Sequence, residues 1–245
     1  MPLLQARNVS KNFGGVQALK DVSLDLPESA VLGLIGPNGS GKSTLLNIIA
    51  GVEKPTSGIV KLDSKRIDSL RTNRVVRYGL AKTHQIPKPF SNMTARENVA
   101  VAVLYGKQNI HSPTPALKEA DRILSMVRMG SRNDAPADSL TVQEKKRLEF
   151  ARAIATGASI LLLDEVFAGL SPEELKDSIQ LFKKLHEELH FSALVVEHVM
   201  RAVLSLSQKV MVLEEGRVIA TGSPDEIVRD EKVIQAYLGS KNPAA

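Results

Sequence analysis

A glycine-rich stretch at residues 36–44, GPNGSGKST, has the residue types and spacing that point most directly to chemistry. It satisfies the pattern G-x-x-x-x-G-K-[ST] through Gly36, Gly41, Lys42 and Ser43. Glycines let backbone N–H groups turn towards phosphate oxygens, and a helix that starts at the loop adds its positive end. We predict that the loop binds the triphosphate of ATP, with Lys42 at the β- and γ-phosphates and Ser43 on Mg²⁺. The predicted contact residues are Gly36, Pro37, Asn38, Gly39, Ser40, Gly41, Lys42, Ser43 and Thr44.

A second segment with chemical potential is residues 160–165, ILLLDE, in which an apolar run ends in two carboxylates. The run predicts a buried strand, and open α/β sheets place their ligands at the carboxyl ends of such strands. Asp164 could therefore hold Mg²⁺ through water. Glu165 could orient and polarise a water molecule that attacks a phosphate. In the same chain as a phosphate loop, this pair predicts ATP hydrolysis.

Short apolar runs at residues 31–35, 160–163, 193–196 and 210–213 suit buried parallel strands. Helical periodicity between Leu175 and Leu189 alternates with them, which predicts an α/β fold with a mostly parallel sheet. Residues 3–9, 22–26 and 58–62 predict a small antiparallel sheet near the N-terminus. A hairpin turn is expected at Glu215 and Gly216.

The middle of the sequence has helical patterning at residues 93–104, 115–129 and 142–156, joined by loops rich in Pro, Ser and Asn. We predict a helical subdomain at residues 87–152, inserted into an α/β core of residues 1–86 and 153–240. Residues 241–245 are expected to form a loose tail. The whole of residues 1–240 would then be a single ATP-binding domain.

Composition limits the classes of function. The chain has 245 residues with 32 Lys+Arg and 27 Asp+Glu, a mild excess of positive charge that suits a phosphate ligand. Cysteine is absent, which fits a reducing cytoplasm. The N-terminus does not resemble a signal peptide, and no 18 apolar residues run together, so we expect any membrane role to come through a partner. Trp is absent and aromatic residues are 4%, which disfavours binding of nucleic acid by base stacking.

The phosphate loop, the ILLLDE strand and their separation resemble the nucleotide-binding subunit of ABC transporters over nearly the whole chain. The resemblance implies a RecA-like P-loop NTPase core, ATP and Mg²⁺ as cofactors, and hydrolysis coupled to transport. It also implies that Phe13 stacks on adenine, that Gln85 touches Mg²⁺ and reports to the membrane subunit, and that His198 contacts the γ-phosphate. Residues 168–172 match the loop that faces a partner ATP-binding subunit.

The family signature Leu-Ser-Gly-Gly-Gln is replaced here by residues 140–144, LTVQE. In this family the signature of one subunit contacts the ATP of the other, and Thr141 can keep the hydroxyl for that contact. Gln143 replaces a glycine and would obstruct close approach to the γ-phosphate. Glu144 adds a negative charge that is unfavourable near a triphosphate unless it points away. A sound phosphate loop beside an altered signature suggests a heterodimer with unequal ATP sites, with a homodimer as the alternative.

Three segments resemble importers of branched-chain and other hydrophobic amino acids: residues 82–98, 196–198 and 233–239. This resemblance implies membrane permease subunits, a second ATP-binding subunit, an external solute-binding protein and a peripheral position on the cytoplasmic face of the membrane. Urea, short amides and polar amino acids remain alternative solutes, and export of lipid-linked material is an alternative direction. A soluble ABC ATPase that acts on nucleic acid or ribosomes, and a nucleotide-dependent binding module, are the other hypotheses.

Overall fold

The computed structural model describes residues 3–107 and 110–238. Within these residues the strands are β1 (Leu4–Phe13), β2 (Val16–Leu26), β3 (Val31–Ile35), β4 (Ser57–Leu62), β5 (Lys65–Arg66), β6 (Leu80–Lys82), β7 (Ile160–Asp164), β8 (Ser192–Val196), β9 (Lys209–Glu214) and β10 (Arg217–Gly222). The helices are α1 (Lys42–Ile49), α2 (Thr72–Arg77), α3 (Ala95–Tyr105), α4 (Pro113–Met126), α5 (Val142–Ala155), α6 (Pro172–Leu189), α7 (Met200–Leu206), α8 (Pro224–Arg229) and α9 (Glu231–Leu238).

The chain divides into two compact units. Unit 1 contains the residues up to Arg71 and those from Ala193 onward, and unit 2 contains Thr72–Ser192. The predicted boundaries of a helical subdomain at residues 87–152 stay a prediction, and the predicted tail at residues 241–245 lies outside the described residues. Among residues 3–107 and 110–238, no helix combines the length and the apolar character that a membrane span requires.

Unit 1 contains the predicted antiparallel sheet, with strand order β2-β1-β4-β5. Val22, Leu24 and Leu26 alternate along β2 and are buried, as the sequence pattern predicted. A second set of strands has β3 between β8 and β9, parallel to both, and β10 antiparallel to β9. The predicted hairpin between β9 and β10 is confirmed. The fold class predicted from the sequence, α/β with a mostly parallel sheet, is therefore confirmed.

Strand β3 is the centre of unit 1 because all five of its residues are buried. Close packing of α7 depends on Gly33: a Cβ at this position would lie 2.6 Å from a methyl group of Val203 and 2.8 Å from the hydroxyl of Ser207. Ile35, the last residue of β3, belongs to a buried cluster with Val203 and with Val233 of α9. The strand that leads into the glycine-rich loop is thus fixed by packing on several sides.

Unit 2 contains the parallel pair β6 and β7 and the helices α2 to α6. Helices α3, α5 and α6 each begin with a capping box, formed by Thr94 with Glu97, Thr141 with Glu144, and Ser171 with Glu174. Strand β6 was not predicted, because only two apolar residues, Leu80 and Ala81, precede Lys82. An aromatic cluster lies between α5 and α6, and its rings belong to Phe150, Phe167, Phe182, His186 and Phe191.

Candidate functional site

The glycine-rich loop connects β3 to α1, the order that the sequence predicted. Three of its glycines have positive φ angles, namely Gly36 at 148°, Gly39 at 77° and Gly41 at 105°. A Cβ on Gly36 would lie 2.0 Å from the carbonyl oxygen of Leu213, so this position accepts glycine alone. Of the other predicted contact residues, Ser40 is buried, Asn38, Gly39 and Ser43 are exposed, and Pro37, Gly41 and Thr44 are half-buried.

Lys42 carries the main charge of the loop. Its ammonium donates to the carbonyl oxygens of Gly36 and Pro37, both at 2.8 Å, and to the hydroxyl of Ser40 at 3.3 Å. The residue is only 6% exposed, and no acidic residue lies in the first turn of α1. A buried positive charge enclosed by a loop at a helix N-terminus is an arrangement suited to bind phosphate.

Two contacts that the sequence did not indicate support the loop. In the β9–β10 turn, the Gly216 N–H donates to the Ser40 carbonyl at 3.0 Å, and the Lys20 N–H donates to the Gly216 carbonyl at 2.8 Å. From α9, the Tyr237 phenol oxygen accepts the backbone N–H of Gly36. Burial raises the pKa of Tyr237, although this hydrogen bond acts in the opposite direction. No sequence signal identified Gly216 or Tyr237 as loop supports, since both contacts depend on tertiary packing.

Phe13 and His198, predicted from resemblance alone, also lie in unit 1. Phe13 is 47% exposed, and the Lys11 ammonium lies 4.7 Å from the centroid of its ring. Lys11 is itself held by Glu53 at 3.0 Å. His198 is exposed and follows β8. Since β8 and β3 are parallel neighbours, His198 and the glycine-rich loop both follow the carboxyl ends of these strands, at the same edge of the strands of unit 1.

In unit 2, Asp164 ends β7 as predicted, with its side chain almost fully buried. Its backbone N–H donates to the hydroxyl of Thr83 at 3.1 Å. One carboxylate oxygen lies 3.4 Å from the ammonium of Lys82, and both side chains are largely buried. Lys82 and Thr83 were missed as site residues because their role depends on β6, the strand that was not predicted. Together they fix both the backbone and the charge of Asp164.

Glu165 and Gln85 are brought together by the parallel pairing of β6 and β7. The Gln85 amide nitrogen donates to a carboxylate oxygen of Glu165 at 2.6 Å. Glu165 has a φ of 51°, in the left-handed region that non-glycine residues rarely adopt. Backbone strain of this kind is common at functional sites, where the surrounding structure holds a side chain in one orientation. Residues 168–172 continue this loop to the N-cap of α6 at Ser171.

The altered signature begins α5, with Thr141 as its N-cap. The Thr141 hydroxyl accepts the Glu144 N–H at 3.2 Å, and the Glu144 carboxylate accepts the Thr141 N–H at 2.9 Å. Arg132 donates two hydrogen bonds to the same carboxylate, at 2.7 and 3.2 Å. The Arg132 guanidinium, followed by the Thr141 backbone, lowers the pKa of Glu144. The carboxylate therefore bonds to the start of its own helix and forms an ion pair with Arg132.

Two family matches cover much of this architecture. Residues 19–168, more than half of the chain, match the family described as ABC transporter. Residues 217–241 match a second family, described as branched-chain amino acid ATP-binding cassette transporter. The second match includes β10, α8 and α9, and therefore Tyr237.

The chain is also similar to individual proteins. It is 35% identical to a high-affinity branched-chain amino acid transport ATP-binding protein of Pseudomonas aeruginosa, over 97% of this chain and 98% of that one. It is 34% identical to a lipopolysaccharide export system ATP-binding protein of Acidithiobacillus ferridurans, over 98% of each. A solved dimeric ATP-binding cassette bound to ADP and phosphate superposes with a TM-score of 0.81 at 28% identity, over 90% of this chain and 98% of that one.

Proposed function

The chain belongs to the ABC transporter family of ATP-binding proteins, and on that premise we propose that it powers import of branched-chain amino acids by a membrane complex. As a member of this family the chain is an ATPase. The observation that carries the part of the proposal that concerns ATP is the loop that encloses Lys42, with three hydrogen bonds from its ammonium to the loop. In a loop of this form, the same ammonium and the backbone N–H groups stabilise charge that develops on the γ-phosphate.

In unit 1, we assign adenine stacking to the exposed ring of Phe13 and a γ-phosphate contact to His198. The Lys11 ammonium near the Phe13 ring stabilises the ring on one side. In unit 2, Glu165 is the residue that orients and polarises the attacking water. The Gln85 amide nitrogen donates to a carboxylate oxygen of Glu165 at 2.6 Å and fixes the orientation of that carboxylate. The reaction is in-line attack of water on the γ-phosphate, with ADP as the leaving group.

The side chains proposed for Mg²⁺ fit the metal in their chemistry. Ser43 offers a hydroxyl, Gln85 an amide oxygen and Asp164 a carboxylate, and oxygen donors with few carboxylates are what Mg²⁺ takes when it binds with phosphates. Asp164 is largely buried and lies next to Lys82. Its negative charge therefore has a fixed position, unlike that of a carboxylate on the solvated surface. When bound, Mg²⁺ would neutralise charge on the phosphates.

The assignment of branched-chain amino acids is supported by the match at residues 217–241 and by the transport protein from Pseudomonas aeruginosa. We infer that the chain lies on the cytoplasmic face of the membrane and works with permease subunits and an external solute-binding protein. The test is uptake into proteoliposomes that contain the co-purified complex. Leucine, isoleucine and valine should stimulate ATP hydrolysis and accumulate on the same side of the membrane as the cassette. Stimulation by urea, amides or polar amino acids instead would contradict the assignment.

Export of lipid-linked material is the second candidate, because the export-system relative has almost the same identity as the amino acid transport relative. The direction of transport separates the two. In the proteoliposome assay, an exporter would extract lipid-linked substrate from the membrane and would hydrolyse ATP without response to amino acids. An importer would show the opposite behaviour on both counts.

We propose that a second ATP-binding subunit completes the complex and that the two ATP sites are unequal. The support is residues 140–144, where Gln143 stands in place of a glycine of the family signature. Replacing Gln143 with glycine in the assembled complex should raise the rate of ATP hydrolysis, because the obstructing side chain is removed. An unchanged rate of hydrolysis and of uptake would count against unequal sites.

A further inference from the structure

Helix α5 contacts both of the segments in unit 2 that carry candidate catalytic side chains. Its 14 residues start directly after the N-cap Thr141. Lys146 and Glu149 are three residues apart and thus lie on one face of the helix. Lys146 extends to the loop after β7, and Glu149 extends to the segment after β6. These contacts involve charged side chains that the proposed reaction does not use directly.

The contact of Lys146 is with the backbone of the loop that starts at Glu165. Its ammonium donates to the carbonyl oxygen of Glu165 at 3.4 Å and, in a shorter contact, to the carbonyl oxygen of Ala168. Both carbonyls belong to the turn in which Glu165 has its left-handed φ angle. A charged donor that bridges two carbonyls of a strained turn stabilises that turn against relaxation.

The contact of Glu149 is with the segment that carries Gln85. One carboxylate oxygen of Glu149 lies 2.8 Å from Nδ1 of His84 and accepts the backbone N–H of His84 at 3.3 Å. The other oxygen accepts a hydrogen bond from Arg152 at 2.9 Å. Glu149 is 6% exposed, so this is a buried carboxylate whose partners fix its place.

Arg152 extends the same contact further along the segment. It donates to the carbonyl oxygen of Lys88 at 3.0 Å, and its guanidinium lies 5.1 Å from the centroid of the Phe90 ring. The segment on either side of Gln85 is thus tied to α5 at His84, Lys88 and Phe90. Gln85 in turn donates to Glu165, so both ends of that hydrogen bond are set by α5.

We propose that Lys146 and Glu149 are positioning residues, which place Glu165 and Gln85 for hydrolysis and link them to the signature at the start of the same helix. This inference rests on the proposed ATPase function. A movement of the signature would shift α5 as a rigid rod and would change both loops at once. The chain thereby gains a direct mechanical connection between a contact made at Thr141 and the geometry of the Gln85–Glu165 pair.

The test uses the full chain in its complex, with four variants: Lys146→Met, Lys146→Arg, Glu149→Gln and the control Lys145→Met. The control removes an ammonium that donates to a different carbonyl, that of Asp138 at 3.0 Å. We expect Lys146→Met to lower kcat about tenfold, with KM for ATP nearly unchanged, because misplacement of a catalytic group acts on the chemical step. Lys146→Arg should recover most of the rate, and Lys145→Met should match the unaltered protein.

Hydrogen exchange gives a readout that does not depend on activity. Lys146→Met should speed amide exchange at residues 165–170 and leave residues 84–90 unchanged, and Glu149→Gln should do the reverse. Exchange that rises evenly over unit 2, or kcat and exchange that both stay at the unaltered values, would overturn the proposal. Absence of hydrolysis in the unaltered complex, with the two local exchange patterns intact, would instead refute the ATPase function and leave only the structural contacts of Lys146 and Glu149 with the two loops.

Discussion

The glycine-rich loop at residues 36–44 and the first turns of α5 at residues 141–149 keep their shapes by different means. In the loop the restraints are mainly backbone geometry, with positive φ angles at three glycines and a Lys42 ammonium that bonds to loop carbonyls. In α5 the restraints are pairs of charged side chains, such as Glu144 with Arg132 and Glu149 with Arg152.

This difference explains why one region keeps its motif and the other has lost it. A Cβ at Gly36 would lie 2.0 Å from the carbonyl oxygen of Leu213. Only glycine fits at this position, so the motif is retained there. A helix start held by a capping box and an ion pair can change its sequence and keep its geometry. The altered signature of residues 140–144 still forms a capped helix, although four of its residues differ from the family pattern.

The largest expected loss of stability comes from a substitution in the glycine-rich loop. Gly36→Ala would place a methyl group against the Leu213 carbonyl and should lower the free energy of unfolding by more than about 3 kcal/mol. Gly39→Ala is the matched control, since a Cβ there meets nothing within 4 Å. Its φ of 77° should cost only about 1 kcal/mol. Denaturant unfolding measures both, and equal losses for the two variants would show that the loop is not restrained as described.

The second-largest expected effect tests whether the ion pair between Lys82 and Asp164 stabilises unit 2. Lys82→Met would leave the largely buried Asp164 carboxylate without its ammonium and should destabilise the protein by about 3 kcal/mol. Added Mg²⁺ should then raise the Tm of the variant more than that of the unaltered protein, because the metal can replace the lost charge. Thermal unfolding with and without Mg²⁺ measures this difference. An identical Mg²⁺ response in both proteins would speak against Asp164 as a metal site.

The smallest effect concerns the start of α5. Glu144→Gln should lower the free energy of unfolding by up to about 1 kcal/mol at neutral pH, because it removes the charge that pairs with Arg132 while glutamine can still cap the helix. The folded pKa of Glu144 lies below its ordinary value of 4.5, so its stabilisation is present above that value and is lost as pH falls through the folded pKa. Unfolding curves of the variant and the unaltered protein should therefore converge at low pH.

The control for that change is Glu174→Gln in the capping box of α6, whose carboxylate accepts the Ser171 N–H at 2.8 Å. Among the ion pairs of the described residues none involves Glu174, so its variant should lose less stability at neutral pH than Glu144→Gln. If the difference in the free energy of unfolding between Glu144→Gln and the unaltered protein persists at low pH, the ion pair with Arg132 is not the source of the lost stability.

Much of the fold could be predicted because its signals are local. Apolar runs at residues 31–35 and 160–163 lie in buried strands, and helical periodicity between Leu175 and Leu189 lies in α6. Strand β6 escaped prediction because three residues with only two apolar side chains carry no periodic signal. Its pairing with β7 depends on residues 80 positions apart in the chain.

The candidate site divides in the same way. Lys42, Asp164 and Glu165 could be predicted because each belongs to a short motif with a local geometry. Lys82, Lys146, Glu149 and Tyr237 could not be, since each acts through a contact between segments distant in sequence. A lysine or glutamate on a helix has the same local pattern whether it faces solvent or holds a catalytic loop.

The central claim is that the loop around Lys42 binds ATP that Glu165 helps to hydrolyse. Its most direct test is retention of labelled ATP by the assembled complex that carries Glu165→Gln. We predict that this complex retains intact ATP in the presence of Mg²⁺ and forms no ADP, and that adding Lys42→Ala abolishes retention. Rapid formation of ADP with Glu165→Gln, or retention that survives Lys42→Ala, would contradict the claim.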